Sequence, residues 1–343
     1  MMETSYFQWL ANETATSWWH DSGDAEELAL ALQHGAAGVT TNPVLSYQAL
    51  RARPAFWRPR VGDLSGLTPP ERAEALMHAV VTHAAEQVEP QFRRTQGAEG
   101  YACAQVNPAR AGDREAMLDM ARRFSRWAPN IAVKLPVTAA GLDVLEECVA
   151  EGITVTATVS FTVPQVVAIA ERHRRGAARA RAAGRVPGRA FAVIMIGRLD
   201  DYLREVAHDR RAEVSEDDIR QAGLAVTKRA YSIYGAAGYE AVLLVAALRG
   251  NAHMTELAGG RLIVSVHPRN QAALLQPGVP REERIAEPVP EAAIARLCTL
   301  PEFVRAYEPD AMAPEDFITY GATQRTLSQF ENVGWAMLEA FAF

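Results

Sequence analysis

Cysteine is scarce in this chain of 343 residues: Cys103, Cys148 and Cys298 are the whole set, and no two stand in CxxC spacing. An odd number of separated thiols offers neither a disulfide framework nor a structural zinc site. Long apolar runs are missing too, since no stretch approaches the roughly 18 consecutive apolar residues of a membrane-spanning helix. The segment MMETSYFQWLANETATSWWHDSGD has no basic start followed by an apolar run, so no secretory leader is expected. Positive charge is in deficit, with 35 Lys and Arg against 41 Asp and Glu and a formal charge of -6. That balance gives no electrostatic case for nucleic acid or an anionic membrane as a main partner. The eight histidines are scattered without HExxH or other ligand spacing, and no metal is expected. These absences leave an ordinary soluble protein of a reducing cytoplasm. Hydrophobic residues make up 49% and charged residues 22%, enough to bury a sizeable core.

What is present is an alternation of short β-like runs with longer amphipathic helical stretches. The runs are Thr16–Asp21, Gly38–Asn42, Ala102–Val106, Ile131–Leu135, Thr154–Ser160, Phe191–Gly197, Ala241–Ala246 and Leu262–Val266. AVLLVAA and FAVIMIG read as strands buried on both faces of a parallel sheet. Helices lie between them: Asp24-Ala-Glu-Glu opens one that Gly35 closes, and Leu142, Leu145 and Val149 recur at helical spacing in Ala139–Glu151 before Gly152. Eight strands in βαβα order predict a closed α/β barrel, a (β/α)8 TIM barrel with extra C-terminal helices; a doubly wound open sheet is the competing arrangement. All of 1–343 is assigned to one barrel domain. Within it, Arg172–Arg189 carries seven arginines and is expected as an exposed helix and loop, and 276–343 as a loop and helices packed on the barrel.

In a barrel the chemistry gathers where the strands end and the βα loops open. Asp21 ends the first run, Thr41 and Asn42 the second, Gln105 the third, Lys134 the fourth and Thr158 the fifth; Arg198 and Arg249 follow the sixth and seventh. Lys134 lies between Val133 and Leu135, where an ammonium ion is costly to bury. A buried amine that gives up its proton is a nucleophile toward carbonyls and can form a Schiff base. A lysine reaching solvent from a strand end, or paired to a structural carboxylate, is the alternative. Asp21 taken alone reads equally well as a helix cap, and Trp18, Trp19 and His267 read as packing or hydrogen-bonded structural residues.

The combination of motifs resembles the transaldolases, class I Schiff-base barrel enzymes. HDSGDAEE, GVTTNPVL, AVKLPVTAAGLDVLEECVAEGITVTATVSF, GRLDDYL and GYEAVLLVAALRGNAHMTELAGGRLIVS carry the resemblance in the family's order. It implies that Lys134 attacks a ketose carbonyl and that Asp21 is the general acid/base of C3–C4 cleavage. It further implies that Thr158 helps hold a catalytic water, that Thr41 and Asn42 belong with the substrate-binding residues, and that Arg198 and Arg249 bind a sugar phosphate. No cofactor is implied, the partner is a small sugar or sugar phosphate, and a homodimer is compatible.

The sequence also departs from the family. Gln105 stands where the major branch has a glutamate, as in the smaller fructose-6-phosphate aldolase branch. Val193 and Ala247 stand where serines are expected beside the two arginines. Transfer of a dihydroxyacetone unit is the expected activity. The alternatives are a diverged aldolase or transaldolase for a specialised sugar, and a non-catalytic barrel.

Overall fold

A computed structural model describes residues 5–343. Its strands are β1 (Ser17–Asp21), β2 (Gly38–Thr40), β3 (Tyr101–Gln105), β4 (Ile131–Pro136), β5 (Val155–Thr158), β6 (Ala190–Met195), β7 (Val242–Ala246) and β8 (Ile263–Val266). All are parallel and close in chain order, with β8 paired back to β1. The closure decides between the two predicted arrangements: the fold is a (β/α)8 barrel with additional C-terminal helices, not an open sheet. Among the described residues no helix is long and apolar enough to cross a membrane.

Three strands stop two residues short of their apolar runs, each for a local reason. After β2, Asn42 caps the helix Pro43–Ala52, its Oδ1 accepting from the Leu45 N–H at 3.0 Å. After β5, Val159 takes a left-handed conformation with φ +56°, which a β-branched residue rarely adopts. After β6, the helix Ile196–Arg210 begins with no side-chain cap and carries Arg198 in its first turn. Elsewhere the predicted punctuation holds. Asp24 caps Ala25–Gln33 through the Glu26 and Glu27 N–H groups, and Thr138 caps Ala139–Ala150 through that of Gly141.

Residues paired in register share a face of the sheet. The pairs Asp21 with Thr40, Gln105 with Lys134, Lys134 with Thr156, Val193 with Leu244 and Met195 with Ala246 therefore order the barrel's interior. Lower in the barrel, the Trp19 ring meets Phe191 edge-on at 4.8 Å and Tyr101 in a stacked arrangement at 6.4 Å. Gly38 is required beside it, because a Cβ there would lie 2.6 Å from the Trp19 indole. These buried rings fill the floor, and removing one would cost about 3–5 kcal/mol. Trp18 stacks on Phe7 at 4.3 Å, so both tryptophans are packing residues.

The long excursion between β2 and β3 builds the helices Pro43–Ala52, Pro54–Val61 and Pro69–Arg94. Its apolar residues Leu50, Trp57, Leu76 and Met77 form a second core with Trp335, Leu338 and Phe341 of the C-terminal region. That contact anchors the terminal helix, which begins at Gly321, passes through a π-helical turn at Glu331–Trp335 and ends at Glu339. The arginine-rich stretch is the second half of the helix Val163–Ala182 and the loop to β6. Arg172, Arg174, Arg179 and Arg181 pair there with carboxylates of Asp143, Glu146, Glu171, Glu147 and Glu240. Such pairs satisfy one another at the surface and contribute at most about 1 kcal/mol each.

Candidate active site

The barrel's upper end holds a small cavity of about 70 Å³ around Lys134. Asp21, Thr40, Asn42, Lys134 and Thr158 line one side, and Arg198 and Phe330 reach its rim. Lys134 is 6% exposed, and its Nζ donates to the Thr41 carbonyl at 3.1 Å. Among the described residues no carboxylate lies within ion-pairing distance of it. A buried amine tied only to a carbonyl is free to meet a substrate, which is what a nucleophile needs and a structural ion pair lacks.

Asp21 is oriented from beneath. The Thr40 hydroxyl donates to its Oδ1 at 2.7 Å and also contacts the Ser265 hydroxyl. Asp21 is not a helix cap, a role taken by Asp24. Asn42 caps with its carbonyl oxygen, so its amide N–H groups are left for the cavity. Gln105 sits beside Lys134 in register, 2% exposed, and its Oε1 has no hydrogen-bond partner. Gln105 is not among the residues that line the cavity, and its buried amide oxygen is left for a water.

Not every predicted residue reaches this cavity. The Thr41 hydroxyl is buried against the Cys103 carbonyl at 2.7 Å, turned away from the mouth, and only its backbone serves Lys134. Arg249 lines a wider cleft of about 690 Å³ above the cavity. Its guanidinium grips Asp201 at 2.9 and 2.7 Å, and its backbone N–H donates to His253 Nδ1 at 3.2 Å. His253 in turn contacts the buried Asp200 at 3.0 Å. His267 also lines the cleft, but caps the helix Pro268–Leu274 with its ring nitrogen.

Arg198 differs from Arg249 in having no carboxylate partner among the described residues. One terminal nitrogen donates to Gln329 at 2.5 Å, the guanidinium stands 5.3 Å over the Phe330 ring, and Nε is buried without a partner. Burial, and then the like charge of Arg249, lower its pKa to about 10. An arginine in a first helical turn also opposes the helix dipole. The two cations beside a helix start suit an anion, whose binding would relieve both strains.

Sequence reasoning missed Thr40 and Gln329. Counting alternate residues from Gly38 would have selected Thr40 over Thr41 as the inward threonine; for Gln329 no local signal exists. Among the described residues no group of three or more His, Cys, Asp or Glu side chains is placed to hold a metal ion.

A barrel with a lysine and a carboxylate at the strand ends is a frequent scaffold for carbonyl chemistry, and comparison with known proteins narrows the class. Residues 18–328 match the model of the family described as transaldolase/fructose-6-phosphate aldolase, and the chain belongs to that family. It is 31% identical over 213 residues to a transaldolase of Thiobacillus denitrificans, covering 59% of this chain and 58% of that protein. It is 32% identical over 190 residues to a transaldolase of Neisseria gonorrhoeae, covering 54% of each. It is 30% identical over 243 residues to transaldolase 1 of Streptomyces avermitilis, covering 66% and 62%. The matched regions thus span between about half and two thirds of these relatives' lengths.

Proposed function

We propose that the protein is a transaldolase-type enzyme that moves a dihydroxyacetone unit from a ketose to an aldehyde through a Schiff base on Lys134. The observation that carries this reading is a buried lysine with no carboxylate partner among the described residues, sharing one small cavity with an oriented carboxylate. Lys134 Nζ adds to the ketone carbon, and loss of water leaves a protonated imine. Asp21 accepts the proton of the C4 hydroxyl as the C3–C4 bond breaks, and the electron pair enters the imine to form an enamine. The aldehyde departs. An acceptor aldehyde then takes the enamine carbon, its oxygen recovers the proton from Asp21, and water hydrolyses the imine to free the lysine.

Asn42 hydrogen-bonds the retained three-carbon unit, while Thr158 and the unpartnered Oε1 of Gln105 hold the water. Arg198 receives the anionic end of the substrate, with Arg249 as a secondary positive charge because Asp201 already occupies its guanidinium. A glutamine holds a water but does not exchange its proton readily, which favours a second outcome. If the enamine is protonated before an acceptor arrives, hydrolysis releases dihydroxyacetone and the enzyme acts as an aldolase.

Product analysis separates the two. Sedoheptulose 7-phosphate formed from fructose 6-phosphate only when erythrose 4-phosphate is added supports transfer. Free dihydroxyacetone without an acceptor supports cleavage. Neither product from these or other ketoses would contradict the proposal.

A further inference from the structure

The cavity is two-sided. Opposite the polar residues around Lys134 stand Val193 and Met195 of β6 and Leu244 and Ala246 of β7, continued by Ala247 and capped by Phe330. Val193 pairs in register with Leu244, and Met195 with Ala246, so the four form one contiguous inward wall between Lys134 and the rim where Arg198 stands. The backbone offers little in compensation, because β6 and β7 pair from Phe191 to Met195 and from Val242 to Ala246. The Val193 carbonyl also accepts from Ser160, and the Ala247 carbonyl from Arg249. A substrate hydroxyl turned toward these side chains would give up water without gaining a hydrogen bond from any of them, and each such hydroxyl is penalised about tenfold or more.

Resting on the Schiff-base reading above, we infer that the aldehyde half of the substrate is deoxygenated along the wall. It is an aldehyde whose carbons between the carbonyl and an anionic terminus carry hydrogen or alkyl substituents in place of hydroxyls. The carbonyl carbon meets the enamine beside Asp21, the C–H carbons lie on Val193, Met195 and Ala246, and the anion reaches Arg198. The covalent step is unchanged by this choice: one C–C bond forms and the aldehyde oxygen takes one proton from Asp21.

The test compares two acceptors of equal length and charge, erythrose 4-phosphate and 4-oxobutyl phosphate, which differ in the two interior hydroxyls. Enzyme supplied with dihydroxyacetone is divided: one aliquot is reduced with borohydride to read the Schiff base, and the other, unreduced, is given both acceptors in competition. The expected result is a preference of about tenfold or more in kcat/KM for 4-oxobutyl phosphate. Val193→Thr, close in shape but bearing a hydroxyl, should reduce that preference severalfold. Ala247→Ser serves as a second probe should the first variant prove unfolded by circular dichroism. A lysine adduct with equal use of the two acceptors, or with erythrose 4-phosphate preferred and the variants unchanged, overturns the apolar-wall inference alone. Absence of any adduct overturns the Schiff-base reading and this inference with it.

Discussion

Replacing Arg198 with methionine should separate stability from substrate binding. The arginine is a cation in a poorly solvated place, with no carboxylate partner among the described residues, at the positive end of a helix and near a second arginine. Its fall to about 10 corresponds to about 3 kcal/mol against the charged form in the folded chain. Methionine keeps the contact with Phe330 and removes that penalty. Loss of the bond to Gln329 and of the cation–π contact returns about 1–2 kcal/mol. A net gain of about 1–2 kcal/mol, or a Tm higher by a few degrees, is therefore expected.

Binding should move the other way. Losing a charge-assisted contact worth about 1.5–3 kcal/mol raises KM for a phosphorylated ketose about 10-fold to 100-fold, with little effect on an unphosphorylated analogue. Inorganic phosphate should raise the Tm of the wild type and leave that of the variant unmoved. Calorimetry with and without phosphate, followed by kinetics on both substrates, checks all three statements. A variant that melts several degrees lower and loses both substrates equally would refute the reasoning and make Arg198 a structural residue.

Two further predictions concern Thr40, in the cavity lining, and His20, next to Asp21 on β1. Thr40→Val removes the hydroxyl that orients Asp21 and should lower kcat about 10-fold with a smaller change in KM, while Thr40→Ser restores it; equal activity of all three would sink the positioning role. His20 is buried against Gln271, and burial holds it down to about 4. That lies below the value of an unfolded histidine, so between about pH 6.5 and pH 4 the unfolded chain binds more protons and stability falls as pH drops through this window, by about 2 kcal/mol at pH 5. His20→Gln should flatten that dependence in guanidinium unfolding curves recorded near neutrality and near pH 5.

The barrel was legible because eight apolar runs separated by capped helices leave few alternatives, and Lys134 because a lysine flanked by valine and leucine is a local contradiction. What escaped was of two kinds. Strand β2 is three residues long and its run continues through Thr41 and Asn42, so Thr41 reads as the strand-end threonine although alternation from Gly38 turns Thr40 inward. Interactions between distant segments leave no local trace: Phe330 meets Arg198 across 132 positions of sequence (330 against 198), and Asp201 holds Arg249 across 48. The apolar wall was partly visible as Val193 and Ala247 in place of serines. Only the register of β6 with β7 joined them to Met195 and Leu244.

The central claim is that Lys134 forms an imine with the substrate. Incubation with ketoses and dihydroxyacetone, reduction with borohydride and peptide mapping by mass spectrometry test it directly. The account predicts one stable adduct per chain, located on the peptide containing Lys134 and missing from Lys134→Ala. An adduct on another lysine, the same adduct in the variant, or no adduct with any of these compounds would contradict it.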